Sequence, residues 1–311
     1  MRTRLCPLLD AHVGGVISVT NKPNGVTVPD RDEMASRARS EFGLAIAGIG
    51  GIIEFLNRDY FMKFSFKRAE GSSAGPSLAE LPQLAGAEIA GWVHGHRVGG
   101  DFYQFARANP RRVVFGLLDV AGDYNENRPI VVSAREAFQA KGPACLANDE
   151  INEADAMMEF CQELNQSIRS AAKGVRTCAA FLGCYNEELG TVCYINAGHT
   201  PGLLRYDDNV SELPATGMPL GLFVGSTYEA PTVAVPKGGA LLLASRGVVE
   251  ASNKREEFGL QRLKAHFETM PLTSAHEVAL SVLEAVRQFA HSAAEQNDLT
   301  TLAVVRHGTN S

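Results

Sequence analysis

The sequence predicts an α+β fold in which antiparallel sheets pack on one another and helices cover the outside. Three observations lead there. Strand-length apolar runs come in pairs joined by short polar turns, as in AAFLGCYNEELGTVCYINAGH (179–199) and GLLRYDDNVSEL (202–213). Two helical pairs interrupt these strands without alternating strand by strand, which argues against a repeating β-α-β order. RRVVFGLLDVAG (111–122) is apolar through its centre, as a strand covered on both faces is.

The elements follow in chain order. Residues 15–31 hold one or two short strands. Residues 32–56 read as a helix weakened by Gly43, Gly48, Gly50 and Gly51. GIGGII (48–53) lacks the full G-x-G-x-x-G pattern and a preceding strand, so it is not read as a dinucleotide loop. EGSSAGPS (70–77) has linker composition. It sets a boundary between an N-terminal segment of unknown role, 1–77, and a single domain, 78–311. That domain opens with strands over 88–98 and 111–122. Helices follow over 127–141 and 153–172, the second capped by Asn152 and carrying Met157, Phe160, Leu164 and Ile168 on one face. After the two hairpins come a buried strand at 238–244, helices at 258–268 and 274–291, and a closing strand, LTTLAVVRH (299–307).

Composition narrows the class. With 311 residues, 45% of them hydrophobic and 21% charged, the chain has material for one large domain or two modest ones. A net charge of −6 without basic runs argues against nucleic-acid binding. The longest early apolar run, FGLAIAGIGGII (42–53), is shorter than the roughly 20 residues that cross a bilayer. The expectation is a soluble, cytoplasmic protein without a membrane segment. Six cysteines form no C-x-x-C pair, which argues against a zinc site. Cys184 and Cys193 flank the first hairpin and are read as small buried residues rather than a disulfide. His94 and His96 form H-x-H on a strand without an evident third ligand, and are read as solvent-facing. Trp92, the only tryptophan, reads as core, and His199 reads as a turn residue before a general acid.

The chemistry points to aspartates at strand ends. Asp101 follows the Gly99–Gly100 bend, Asp119 ends VVFGLLD, and Asp298 precedes the last strand. Carboxylates at the ends of buried strands are costly unless paired or bound to a cation. Taken singly, each also reads as a turn residue. Several meeting at one sheet end make a hard oxygen site of the kind that takes Mg²⁺ or Mn²⁺.

Residues 78–307 resemble the metal-dependent protein phosphatases (PPM), in the bacterial SpoIIE/RsbU branch. The motifs run in the family's order: RVGGDFYQF, FGLLDVAG, YINAGHTPGLLRY, ATGMPLGLF, GALLLASRGVVEASN with its following FG, and NDLTTLAVV. The resemblance implies an α-β-β-α sandwich of two antiparallel sheets. It implies two Mn²⁺ or Mg²⁺ ions held by aspartates, and a metal-activated water that hydrolyses phosphoserine or phosphothreonine. It also implies a phosphoprotein partner such as an anti-sigma-factor antagonist. A homodimer fits the branch, although no residue argues for one. Asp101 and Asp119 fall on metal ligands, and the Val120 carbonyl on the next.

Two ligand positions depart from the pattern. Arg246 stands where the family carries the aspartate of T-D-G, and Asn297 where it carries the first aspartate of D-D-x-T, leaving Asp298. Asp298 is one residue out of step with the lost ligand. A guanidinium keeps its proton and offers no lone pair. At roughly 4 Å from a divalent ion it costs several kcal/mol at an effective dielectric near 20. At least one metal site is therefore expected to be lost, with Arg246 bridging Asp101 and Asp119 in its stead. The sequence leaves two readings: a phosphatase of weak activity, and an inactive family member that binds a phosphoprotein.

Overall fold

The computed structural model describes residues 84–94, 100–253, 255–290 and 298–308. The strands and helix expected in 1–77, the linker, His96, Gly99 and Asn297 lie outside the described residues.

Among the described residues, ten strands form two five-stranded sheets. The first contains β1 (Ala87–His94), β6 (Gly202–Tyr206), β7 (Asn209–Leu213), β9 (Ala240–Ala244) and β10 (Leu299–Arg306), in the order β1-β10-β9-β6-β7. The second contains β2 (Asp101–Asn109), β3 (Arg112–Val120), β4 (Cys178–Asn186), β5 (Thr191–Ala197) and β8 (Thr232–Ala234), in the order β2-β3-β4-β5-β8. Every pairing between these strands is antiparallel.

Alternation along single strands makes the layers. On β3, Phe115 and Leu117 join Ile89, Phe181, Leu241, Leu243 and Val304 between the sheets. Val114 and Leu118 point the other way, into a core with Phe138, Met157, Phe160 and Leu164. Those last four lie on α1 (Tyr124–Leu146) and α2 (Glu153–Ala171). A third core packs Leu203 and Leu242 against α4 (Gly259–Thr269) and α5 (Ala275–Ala290) through Leu263, Phe267, Val278 and Val282. The result is the α-β-β-α sandwich, and it explains why β3 and β9 read as continuous apolar runs. On α2 the expected face, Met157, Phe160, Leu164 and Ile168, is fully buried, each side chain contributing about 1.5–3 kcal/mol.

The boundaries show where sequence reading stops. β2 and the edge strand β8 went unread: β2 is buried along Asp101–Ala106 and so has no polar–apolar alternation. α1 begins three residues earlier than expected, because the Asp123 carboxylate accepts from the backbone N–H of Asn125 and Glu126. α3 (Arg246–Val249) is a single turn, too short to carry periodicity. α2 starts at the expected cap, with the Asn152 side chain accepting from Ala154 N and Asp155 N. Cys184 and Cys193 are directly opposite on β4 and β5, buried, and free thiols. Trp92 is only partly buried, its ring edge-on to His276 at 4.9 Å. His94 is half-buried.

Candidate functional site

The site lies where the β2, β3 and β10 ends meet the chain leaving β9. Asp101 and Asp119 are register partners on β2 and β3. Asp101 is buried and its Oδ2 has no hydrogen-bond partner. Asp119 is more open, with 13% side-chain exposure. Burial pushes the Asp101 carboxyl well above the usual aspartate range, and the neighbouring Asp119 charge pushes it further. Burial also raises Asp119, against the pull of Arg246. Two like charges side by side at a buried sheet end call for a cation or a proton.

Ser245 ties the remaining residues in. It is fully buried; its N–H donates to Thr300 O at 2.8 Å and its Oγ accepts from Thr300 N at 3.1 Å. This clamp fixes Arg246, the next residue, beside Asp119, with Nε 3.7 Å from Oδ2. Arg246 Nε also lies 3.8 Å from Glu250 Oε1. The expected bridge between Asp101 and Asp119 therefore does not form. Arg246 is 60% exposed at the start of α3, whereas Asp101 is buried behind Asp119. Asp298, also buried, adds a negative charge felt by both aspartates.

Sequence reading missed Asn127. Its Nδ2 donates to Val120 O at 2.9 Å and to Gly122 O at 3.1 Å, so the carbonyl expected to face a metal already accepts an amide hydrogen. Gly100 makes room for this: a Cβ there would lie 2.2 Å from Val120 O and 3.0 Å from Asn127 Nδ2. Asn127 lies in the stretch NENRPIVV (125–132), which carries no motif that marks it.

A cleft of about 240 Å³ opens beside Asp119, lined by Thr177, His199, Thr200, Pro219 and Arg246 among others. A larger apolar depression of about 470 Å³ lies along α4 and shares none of these residues. In the cleft, Thr200 Oγ1 donates to Ala244 O, so it can only accept from His199 Nδ1, 3.0 Å away. The hydrogen-bond network thus assigns the imidazole proton to Nδ1 and leaves Nε2 a bare acceptor, buried without a partner. Burial lowers the His199 pKa to about 4, and Arg246 adds to the effect, so the ring is neutral at pH 7.

The Asp101 and Asp119 carboxylates are the part of the site that fits a divalent ion. The unpartnered Asp101 Oδ2 and the crowded Asp101–Asp119 pair favour a cation between them. Arg246 brings a fixed positive charge against that cation. Among the described residues no three His, Cys, Asp or Glu side chains converge as a ligand set. No helix of the described residues is long and apolar enough to cross a membrane.

Comparison with known proteins agrees with this architecture. The chain is 24% identical over 200 residues to the phosphoserine phosphatase RsbP of Bacillus subtilis, covering 64% of this chain and 48% of RsbP. It spans half or less of the length of the curated relatives it matches. Among solved structures, the RsbU and RsbW domains of Rv1364c from Mycobacterium tuberculosis superpose with a TM-score of 0.59 at 21% identity, over 73% of this chain and 62% of that one. The SiaA-PP2C domain of Pseudomonas aeruginosa gives 0.58 at 18%, over 68% and 84%. The model of the Stage II sporulation protein E family matches residues 109–308, nearly two-thirds of the chain. With this match and the two-sheet sandwich that carries it, the chain belongs to the SpoIIE family.

Proposed function

We propose that residues 78–311 form a SpoIIE-type PPM domain that acts on a phosphoserine or phosphothreonine of a partner protein in bacterial signalling, with low hydrolytic turnover. The observation that carries this reading is the buried Asp101–Asp119 pair at the mouth of the cleft, inside a SpoIIE-family fold. The partner proposed is a small phosphorylated regulator of the anti-sigma-factor-antagonist kind, a reading that the similarity to a phosphoserine phosphatase, RsbP, supports. Cytoplasmic placement is part of the same proposal.

Asp101 and Asp119 would hold a single Mg²⁺ or Mn²⁺. Such an ion supplies neutralising charge and a bound water of lowered pKa. Val120 and Asp298 are proposed to shape the ion's surroundings. Arg246 sets its charge against Asp119 and weakens ion binding. His199 presents a neutral acceptor at the cleft wall, with its orientation fixed by Thr200. Low turnover follows from the two substituted positions, Arg246 and Asn297.

A second reading, an inactive family member that binds a phosphoprotein, is favoured by Arg246 alone, since a permanent cation replaces an anion. Phosphate release from a phosphoserine peptide with Mn²⁺ separates the two. Slow release that Asp119→Asn abolishes, and that Arg246→Asp/Asn297→Asp raises at least tenfold, supports the enzyme. No release from either protein leaves the binder.

A further inference from the structure

We infer that Glu250 is a positioning residue for the Asp101–Asp119 pair: it offers Arg246 a second carboxylate, so that Arg246 leaves Asp119 for Glu250 when the pair takes a divalent ion. The inference rests on the reading of that pair as an ion site. It adds the residue that draws the opposing cation aside.

The single turn α3 sets one guanidinium between two carboxylates. Its start is fixed by Ser245, whose N–H and Oγ both bond the Thr300 backbone. Val248 N–H donates to Ser245 O at 3.0 Å, and Glu250 N–H closes the turn on Arg246 O at 2.9 Å. Val248 is fully buried in the core with Phe258, Phe267 and Val278, which anchors the turn. Residues four apart on a helix share a face. Glu250 Oε1 accordingly lies 3.8 Å from Arg246 Nε, while Asp119 Oδ2, on β3, lies 3.7 Å from the same atom. Both distances exceed the about 2.7–2.9 Å of a tight charge-assisted bond, so Arg246 is shared between the two and committed to neither.

The two carboxylates differ in their surroundings. Asp119 is 13% exposed and is the register partner of Asp101, whereas Glu250 is 44% exposed. Asp119 attracts Arg246 as long as its own charge is uncompensated. A divalent ion shared by Asp101 and Asp119 cancels that attraction and repels the guanidinium. Arg246 is 60% exposed, so its side chain turns without disturbing buried packing, and Glu250 then holds it off the pair. With the Glu250 charge removed, Arg246 has Asp119 as its remaining partner of the two, and ion binding has to displace it at a greater cost.

The experiment is calorimetric titration with Mn²⁺ of the full chain in four forms: wild type, Glu250→Gln, Arg246→Ala, and the two substitutions together. Glu250→Gln is expected to weaken Mn²⁺ binding about threefold, within the range of an exposed ion pair. Arg246→Ala is expected to tighten it by about tenfold or more. In the Arg246→Ala background, Glu250→Gln is expected to change nothing, which separates a role through Arg246 from a direct pull of Glu250 on the ion. Wild type and Glu250→Gln are expected to melt together in EDTA, so a change of affinity is not a loss of fold. The same weakening in both backgrounds, or none in the wild-type background, overturns the inference and leaves the ion site standing. Mn²⁺ bound by none of the four forms overturns both.

Discussion

Arg246 Nε stands 3.7 Å from Asp119 Oδ2, so a fixed positive charge faces one member of the buried acidic pair. The other member, Asp101, has a carboxylate oxygen without any hydrogen-bond partner. Asp119 is thus partly compensated by a full charge, and Asp101 only by the weaker pull of the Ser245 and Thr300 side chains. The behaviour of the site follows from that asymmetry.

Asp101→Asn removes the less compensated charge. It is expected to raise the melting temperature in EDTA by a few degrees, since about 1 kcal/mol moves a domain of this size by roughly 2–4 °C. The same variant is expected to lose any stabilisation by Mn²⁺. Because the folded-state pKa of Asp101 lies above its ordinary value of 3.8, its favourable contribution is complete below that value and is lost as pH rises through the folded pKa. The gap between wild type and variant should therefore be small in acid and widen toward neutrality. Thermal unfolding across pH in EDTA measures it; a variant less stable than wild type at pH 7 would refute it.

His199 behaves in the opposite sense. Its pKa falls from 6.5 to about 4, so its contribution is present above 6.5 and is lost as pH falls toward 4. The loss is on the order of 3 kcal/mol across that window. His199→Gln should flatten the stability profile between pH 6.5 and 4 relative to wild type. Parallel profiles would show that the ring is not the group responsible.

Gly100→Ala tests the packing behind the pair. The added methyl meets Val120 O, a backbone atom that cannot turn aside. A loss of about 2–4 kcal/mol in denaturant unfolding is expected, within the range for overpacking and the loss of buried hydrogen bonds. Asn127→Ala should cost about 1–3 kcal/mol by leaving the Val120 and Gly122 carbonyls without its amide. Near-neutral values for both would remove the case that this amide has taken over the carbonyl.

The hairpins, the α2 face, the bend before Asp101 and the strand end at Asp119 were legible because period-2 and period-3.6 patterning and Gly-Gly punctuation are local signals. The family motifs supplied the pairing of sheets that local patterning does not fix. Asn127 was not legible. Its role depends on Val120 and Gly122 lying within reach of the first turns of α1, and nothing in NENRPIVV marks that residue over its neighbours. Arg246 stood out as a substituted ligand position, yet its contacts did not follow from that. Its exposure at α3 carries it to Glu250 rather than inward to Asp101. The cleft acceptor on His199 likewise needed the Thr200–Ala244 contact before its tautomer could be assigned.

Calorimetric titration with Mn²⁺ of wild type and of Arg246→Asp/Asn297→Asp tests most directly whether the cationic replacement has cost the site an ion. Arg246 is largely exposed, so its replacement should leave the fold intact. One ion in wild type and two in the double variant are expected. Two ions bound by the wild-type chain, with Arg246 in place, would contradict it.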